Sequence, residues 1–142
     1  MAGEARSWEG LRPRLAALGT DPVRVENPAL PGTPDVNFVE GWTELKAALR
    51  WPPKGGALRL GHPPTQEQKA WLLRRWLSGG WATLTLRVGS GRQQTWMVFR
   101  GCDVVNLWRE APMKQDLEQA ALIVTSSVTE VAKLLAGGRG DK

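Results

Sequence analysis

The stretch from Thr65 to Val88 leaves the fewest conformations open. Thr65-x-x-Gln68 is a capping box, in which the threonine side chain serves one free helical amide and the glutamine reaches back to another. Leu72, Leu73, Trp76 and Leu77 follow as an apolar stripe, and Gly79-Gly80 ends the helix. Trp81 to Val88 is then rich in strand-forming residues, and Ser90-Gly91 turns it into a second strand, Gln94 to Arg100, pairing as a hairpin. A helix handed directly to a hairpin points to an α/β fold.

The remaining elements arrange themselves around this unit. Trp8, Leu11, Leu15 and Leu18 have helical spacing, with Ser7 as the N-cap and Gly19 as the stop; Pro13 implies a kink or a new first turn. Asp21 to Glu26 alternates as a short strand. Val36 to Val39 and Trp42 to Leu49 read as two more strands turning at Glu40-Gly41. Pro112 opens a helical region with segments Met113 to Leu122 and Ser127 to Leu135, and residues 137–142, GGRGDK, read as a disordered tail. The order is helix, three strands, helix, two strands and a helical end, in one domain spanning 1–136.

Composition narrows the function classes. With 142 residues the chain is long enough for one well-filled core. No apolar run approaches the ~20 residues of a membrane span, and the first ten residues have no apolar secretory signal. The single cysteine, Cys102, excludes an internal disulfide framework and a cysteine zinc site, which points to a reducing, cytoplasmic compartment. The net charge of +5 comes mostly from arginine, a bidentate phosphate binder, and is consistent with a nucleic-acid partner. Eight tryptophans with no tyrosine read mainly as packing. His62, in a Gly-His-Pro-Pro loop, reads as turn packing rather than a general base.

Chemistry concentrates between Gly32 and Lys46. If Asp35 begins one strand and Glu44 lies on the next, the hairpin brings the two carboxylates together. Such a pair can bind a hard divalent cation, which takes oxygen ligands and keeps waters. Lys46, two residues after Glu44, points to the same strand face, within reach of an attacking water or a phosphate. This is equipment for metal-assisted phosphodiester hydrolysis. The residues alone also permit a Pro-Asp turn beside a solvated Glu-Lys ion pair.

The motifs Arg24-x-Glu26-Asn27, Gly32-x-Pro34-Asp35-Val36, Trp42-x-Glu44-Leu45-Lys46 and Thr65-x-x-Gln68-x-x-Trp71-Leu72 resemble the PD-(D/E)xK nuclease superfamily. More narrowly they are similar to its VRR-NUC branch, akin to Holliday junction resolvases and found as stand-alone phage-type nucleases. The resemblance spans residues 8 to 90. It implies a restriction-endonuclease-like α-β-β-β-α-β core with a mixed sheet flanked by helices, to which this chain adds a hairpin strand and C-terminal helices.

The resemblance further implies a Mg²⁺- or Mn²⁺-dependent DNA endonuclease. Asp35, Glu44 and the Leu45 carbonyl would hold the metal, with Glu26 or Glu9 as an extra acid. Lys46 would position water, and Gln68 would support it. Lys54, Arg59, Lys69, Arg74 and Arg75 form a candidate phosphate-contacting group. Branched DNA such as a four-way junction is the substrate implied, which calls for a homodimer; Leu122, Ile123, Val128, Val131 and Leu134 either form its surface or cover their own sheet. The alternatives are a nuclease for linear duplex or flapped DNA, and a non-catalytic DNA-binding module.

Overall fold

The computed structural model describes residues 2–140. Its elements are α1 (Ala2–Ala17), β1 (Val23–Arg24), β2 (Val36–Phe38), β3 (Gly41–Ala48), α2 (Gln66–Leu77), β4 (Trp81–Val88), β5 (Thr95–Arg100), α3 (Val104–Leu107), α4 (Lys114–Ala120), β6 (Ile123–Thr125) and α5 (Val128–Ala136). The strands form one mixed sheet of six, in the order β1-β2-β3-β4-β5-β6. Every neighbouring pair is antiparallel except β3 and β4, which run parallel from Gly41↔Trp81 to Ala48↔Val88. A parallel pair needs a crossover, and α2 supplies it. The α/β class and a sheet flanked by helices are therefore as expected.

Alternation along β4 divides the interior. Trp81 joins the core under α1 and α5 with Leu11, Leu15, Val131 and Leu135, whereas Ala82, Leu84, Leu86 and Val88 join Leu72, Phe99, Val104 and Leu117 on the other face. All eight residues of β4 are buried, as a central strand covered on both faces must be.

Several boundaries differ from the sequence reading. The first helix begins at Ala2 instead of Trp8, and Ser7 is not its N-cap: it is buried inside the helix and its hydroxyl donates to the Gly3 carbonyl (3.1 Å). This first turn packs closely on β3, since a Cβ on Gly3 would stand 2.9 Å from the Ala47 side chain. Pro13 lies within the helix because Leu11 and Leu15, both fully buried, hold the backbone on either side of it. On α2 the buried face is Lys69, Trp71, Leu72 and Trp76, while Leu77 is exposed. The chain after β5 contains a short helix, α3, and a third C-terminal strand, β6, too short to carry periodicity.

Residues Leu122, Ile123, Val128, Val131 and Leu134 all belong to, or pack against, the core under α1 and α5. Val128 and Val131 are buried there, and Leu122, Ile123 and Leu134 pack against it while remaining partly exposed, so these residues cover their own sheet. Within the tail expected to be disordered, Arg139 makes contacts with the body of the fold. Arg139 donates to the carbonyls of Trp76 (2.7 Å) and Gly80 (3.2 Å), and its guanidinium stacks 3.8 Å from the Trp76 ring centre. The last two residues of that tail, Asp141 and Lys142, lie outside the described ones. Among the described residues no helix is long and apolar enough to cross a membrane.

Candidate active site

The site forms where β3 outruns β2. The ladder pairs Phe38 with Gly41, Asn37 with Trp42 and Val36 with Thr43, so the next position in register sets Asp35 opposite Glu44. Opposed residues of an antiparallel pair project from the same face with Cβ atoms about 5 Å apart. Two backbone contacts fix Asp35 there. Its carbonyl accepts the Val25 amide (2.7 Å), and its carboxylate Oδ2 accepts the Leu45 amide (3.0 Å). The N–H and C=O of one strand residue leave from the same edge, so the Leu45 carbonyl opens to the side on which Asp35 sits.

The loop leading to Asp35 is shaped by Gly32, with φ of +92°, a conformation that glycine adopts without strain. It presses on the first turn of α2: a Cβ at this position would meet the Glu67 carbonyl oxygen at 2.4 Å. The Gly-x-Pro-Asp segment is thereby seated on the helix that carries Gln68.

Gln68 acts in two directions at once. Its Oε1 accepts the Thr65 amide (3.0 Å) while the Thr65 hydroxyl accepts the Gln68 amide (3.1 Å), completing the capping box. Its Nε2 donates to Glu44 Oε2 (3.0 Å). The same oxygen receives Lys46 Nζ at 3.4 Å, in an ion pair whose members are both buried. Glu44 Oε1, by contrast, is buried with no hydrogen-bond partner.

A carboxyl in this setting resists ionisation. Burial first, and the facing Asp35 carboxylate second, raise the Glu44 pKa to about 8; Lys46 pulls the other way and offsets them only in part. An ionised, half-satisfied carboxylate next to another acid calls for a further positive charge. The unpaired Oε1, Asp35 and the Leu45 carbonyl are hard oxygen donors, and they fit a divalent cation of the Mg²⁺ or Mn²⁺ kind that keeps several waters. Among the described residues there is no group of three or more His, Cys, Asp or Glu side chains that could hold a metal. The fit thus rests on two carboxylates and the main chain.

These groups border an open cavity of about 520 Å³. Asp35, Glu44, Leu45, Lys46 and Gln68 all line it. Neither Glu26 nor Glu9 does; both are exposed side chains elsewhere. The extra acid on the cavity wall is Glu4, from the first turn of α1, which a helix read as starting at Trp8 could not bring forward. Arg24 and His62 line the wall too.

None of the five residues expected to contact phosphate lines this cavity. Lys69 is buried, and its ammonium donates to the Trp108 carbonyl (3.1 Å), so it ties α2 to the end of α3 and is withdrawn from that group. Arg75 lies over the Trp71 ring at 4.4 Å. Arg59 borders a separate hollow with Glu110, and Lys54 and Arg74 are exposed. Cys102 is half-buried, and burial with the adjacent Asp103 raises its thiol pKa.

Comparison with protein-family models, with curated proteins and with solved structures finds no match to this chain.

Proposed function

We propose that this chain is a Mg²⁺- or Mn²⁺-dependent DNA endonuclease of the PD-(D/E)xK type, with branched DNA as its substrate. The observation that carries the reading is Glu44, which lines an open cavity, is opposed to Asp35 and keeps one buried oxygen without a partner. The succession of α1, three antiparallel strands, α2 and a parallel β4 supports a restriction-endonuclease-like core. Junction preference rests on motif resemblance.

Each residue has a task that its surroundings favour. Asp35, Glu44 and the Leu45 carbonyl would hold the cation. When bound, such a cation lowers the pKa of a coordinated water and stabilises charge on phosphate oxygens. Lys46, held against Glu44, orients an attacking water and balances the charge that develops on the phosphate. Gln68 fixes the Glu44 rotamer through Oε2 and leaves Oε1 without a protein partner.

The test is cleavage of a labelled four-way junction, a flap and a linear duplex with Mg²⁺ or Mn²⁺. Asp35→Ala should reduce the rate at least about a hundredfold, the scale of losing one preorganised electrostatic partner, with the circular dichroism melt retained. Cleavage by the variant at the wild-type rate removes the site assignment. Equal rates on all three substrates remove the preference for branched DNA.

A further inference from the structure

The cavity at the site adjoins a second of about 350 Å³, with Glu4, Gly61 and His62 lining both, so that the two follow one another as halves of a trough along the end of β3. Asp35, Glu44 and Lys46 lie in the first half; Ala47, Ala48 and Leu49 floor the second. A polyanionic strand entering the first half meets Glu4, Asp35 and Glu44, so cations must hold it in place.

Four basic side chains border the trough, and two of them are already committed. Lys46 is buried against Glu44. Arg87 is buried, and donates to the Ser7 hydroxyl and to the Gly3 and Gly89 carbonyls. Arg24 and Arg6 differ: both are exposed, and among the described residues neither makes a side-chain hydrogen bond or ion pair. Arg24 borders only the first half and Arg6 only the second. Their positions are fixed by backbone. Arg24 pairs with Val36 in the β1–β2 ladder, beside the Val25 to Asp35 bond, and Arg6 lies on α1 one residue before the buried Ser7.

We propose that the substrate strand runs along this trough, with phosphates on either side of the scissile one held by Arg24 and Arg6. This rests on the nuclease reading for the identity of the strand and adds its path. A free guanidinium presents a planar fork matched to phosphate oxygens. Contacts of this kind set register without reading sequence. The competing role for Arg24 is to blunt an edge strand against aggregation; that role leaves DNA affinity untouched.

The experiment measures binding of a fluorescein-labelled four-way junction by anisotropy, with the intact chain in EDTA and across a series of KCl concentrations. Arg24→Ala and Arg6→Ala should each weaken binding by roughly an order of magnitude. Each should lower the slope of log K against log salt by about 1, and the double variant by about 2. Arg109→Ala, away from the trough, should change neither. Arg24→Lys should keep the slope while losing part of the affinity. In Mg²⁺ cleavage assays Arg24→Ala should raise KM more than it lowers kcat.

Unchanged affinity and slope in either alanine variant, with the melt retained, overturn the trough. Because binding is read without divalent metal, the two readings fail separately. A protein that binds with these slopes but never cuts keeps the strand path and loses the nuclease, whereas one that cuts with slopes unaffected keeps the nuclease and loses the path.

Discussion

Arg87 and Glu44 are both ionisable, both nearly sealed from solvent, and sit on adjacent parallel strands, yet their surroundings are opposite. On the face under α1, each nitrogen of the Arg87 guanidinium has an acceptor: Nε meets Ser7 Oγ at 3.0 Å, one terminal nitrogen meets the Gly3 carbonyl at 3.0 Å, and the other meets the Gly89 carbonyl. On the face toward α2, Glu44 has two donors on one oxygen and none on the other. A buried charge with its hydrogen bonds complete holds elements together, whereas one left incomplete raises the energy of the folded state unless a ligand completes it. Burial alone would rank the two residues alike; the count of partners separates a strut from a site.

Breaking the strut should give the largest effect on stability. Arg87→Met removes a side chain that joins the start of α1 to β4, and takes away the donor to Ser7 Oγ and to the Gly89 carbonyl, while the Gly3 carbonyl keeps the Ser7 hydroxyl. Each buried acceptor left unpaired costs about 1–3 kcal/mol, which for a chain of this length is a fall in Tm on the order of ten degrees. Differential scanning calorimetry measures it. A melt within two or so degrees of wild type would mean that the satisfied cluster is not structural, and the comparison would lose its first half.

Glu44→Gln should move stability the other way, and in a pH-dependent manner. The folded-state pKa of Glu44 is raised, from the ordinary 4.5 to about 8, so between these values the native protein binds more protons than the unfolded chain. Stability from this group is therefore full below pH ~4.5 and is lost as pH climbs through 8. The glutamine variant has no such loss. It should match wild type near pH 4 and exceed it at pH 9 by a few kcal/mol, the order set by the size of the shift. Adding Mn²⁺ at pH 9 should restore wild type, by about 2.7 kcal/mol at a hundred times its Kd, and leave the variant unmoved. Parallel pH profiles for the two proteins would show that Glu44 is satisfied in solution.

The same contrast explains what could be read from the sequence. Local chemistry was legible: the Thr65-Gln68 box, the Gly79-Gly80 stop and the β-rich run at 81–88 each rest on neighbours within a few positions, and the structure keeps them. That a hairpin brings Asp35 and Glu44 together was legible, but its turn is at Val39-Glu40, one position before the Glu40-Gly41 read from the sequence, and only that register sets Asp35 opposite Glu44. Partners supplied from far along the chain were illegible. Ser7 looks like a cap until Arg87 is packed on it, and Lys69 looks like a phosphate ligand until the Trp108 carbonyl receives it. Glu4 reaches the cavity only because Gly3 admits close contact with Ala47, a fact with no local signature. β6 forms through bonds from β5, with Leu122 already donating to the Val98 carbonyl at 2.8 Å.

The smallest effect separates the two duties of Gln68, which belongs to both a structural motif and the site. Thr65→Ala deletes, with a methyl group, the hydroxyl that accepts the Gln68 amide at 3.1 Å. An N-cap of this kind is worth ~1 kcal/mol, so the melt should fall by a few degrees. Cleavage should stay near the wild-type rate, because the Gln68 side chain still has the backbone amide at position 65 and Glu44 to hold it. Gln68→Ala removes the cap contact and also strips a donor from the buried Oε2. It should cost a similar amount of stability and, in addition, about 10–100-fold in activity, the usual range for a group that orients a metal-binding side chain. Single-turnover cleavage alongside thermal melts reads both quantities. If Thr65→Ala loses activity in step with Gln68→Ala, the helix terminus as a whole positions the site, and Gln68 has no role there apart from its cap.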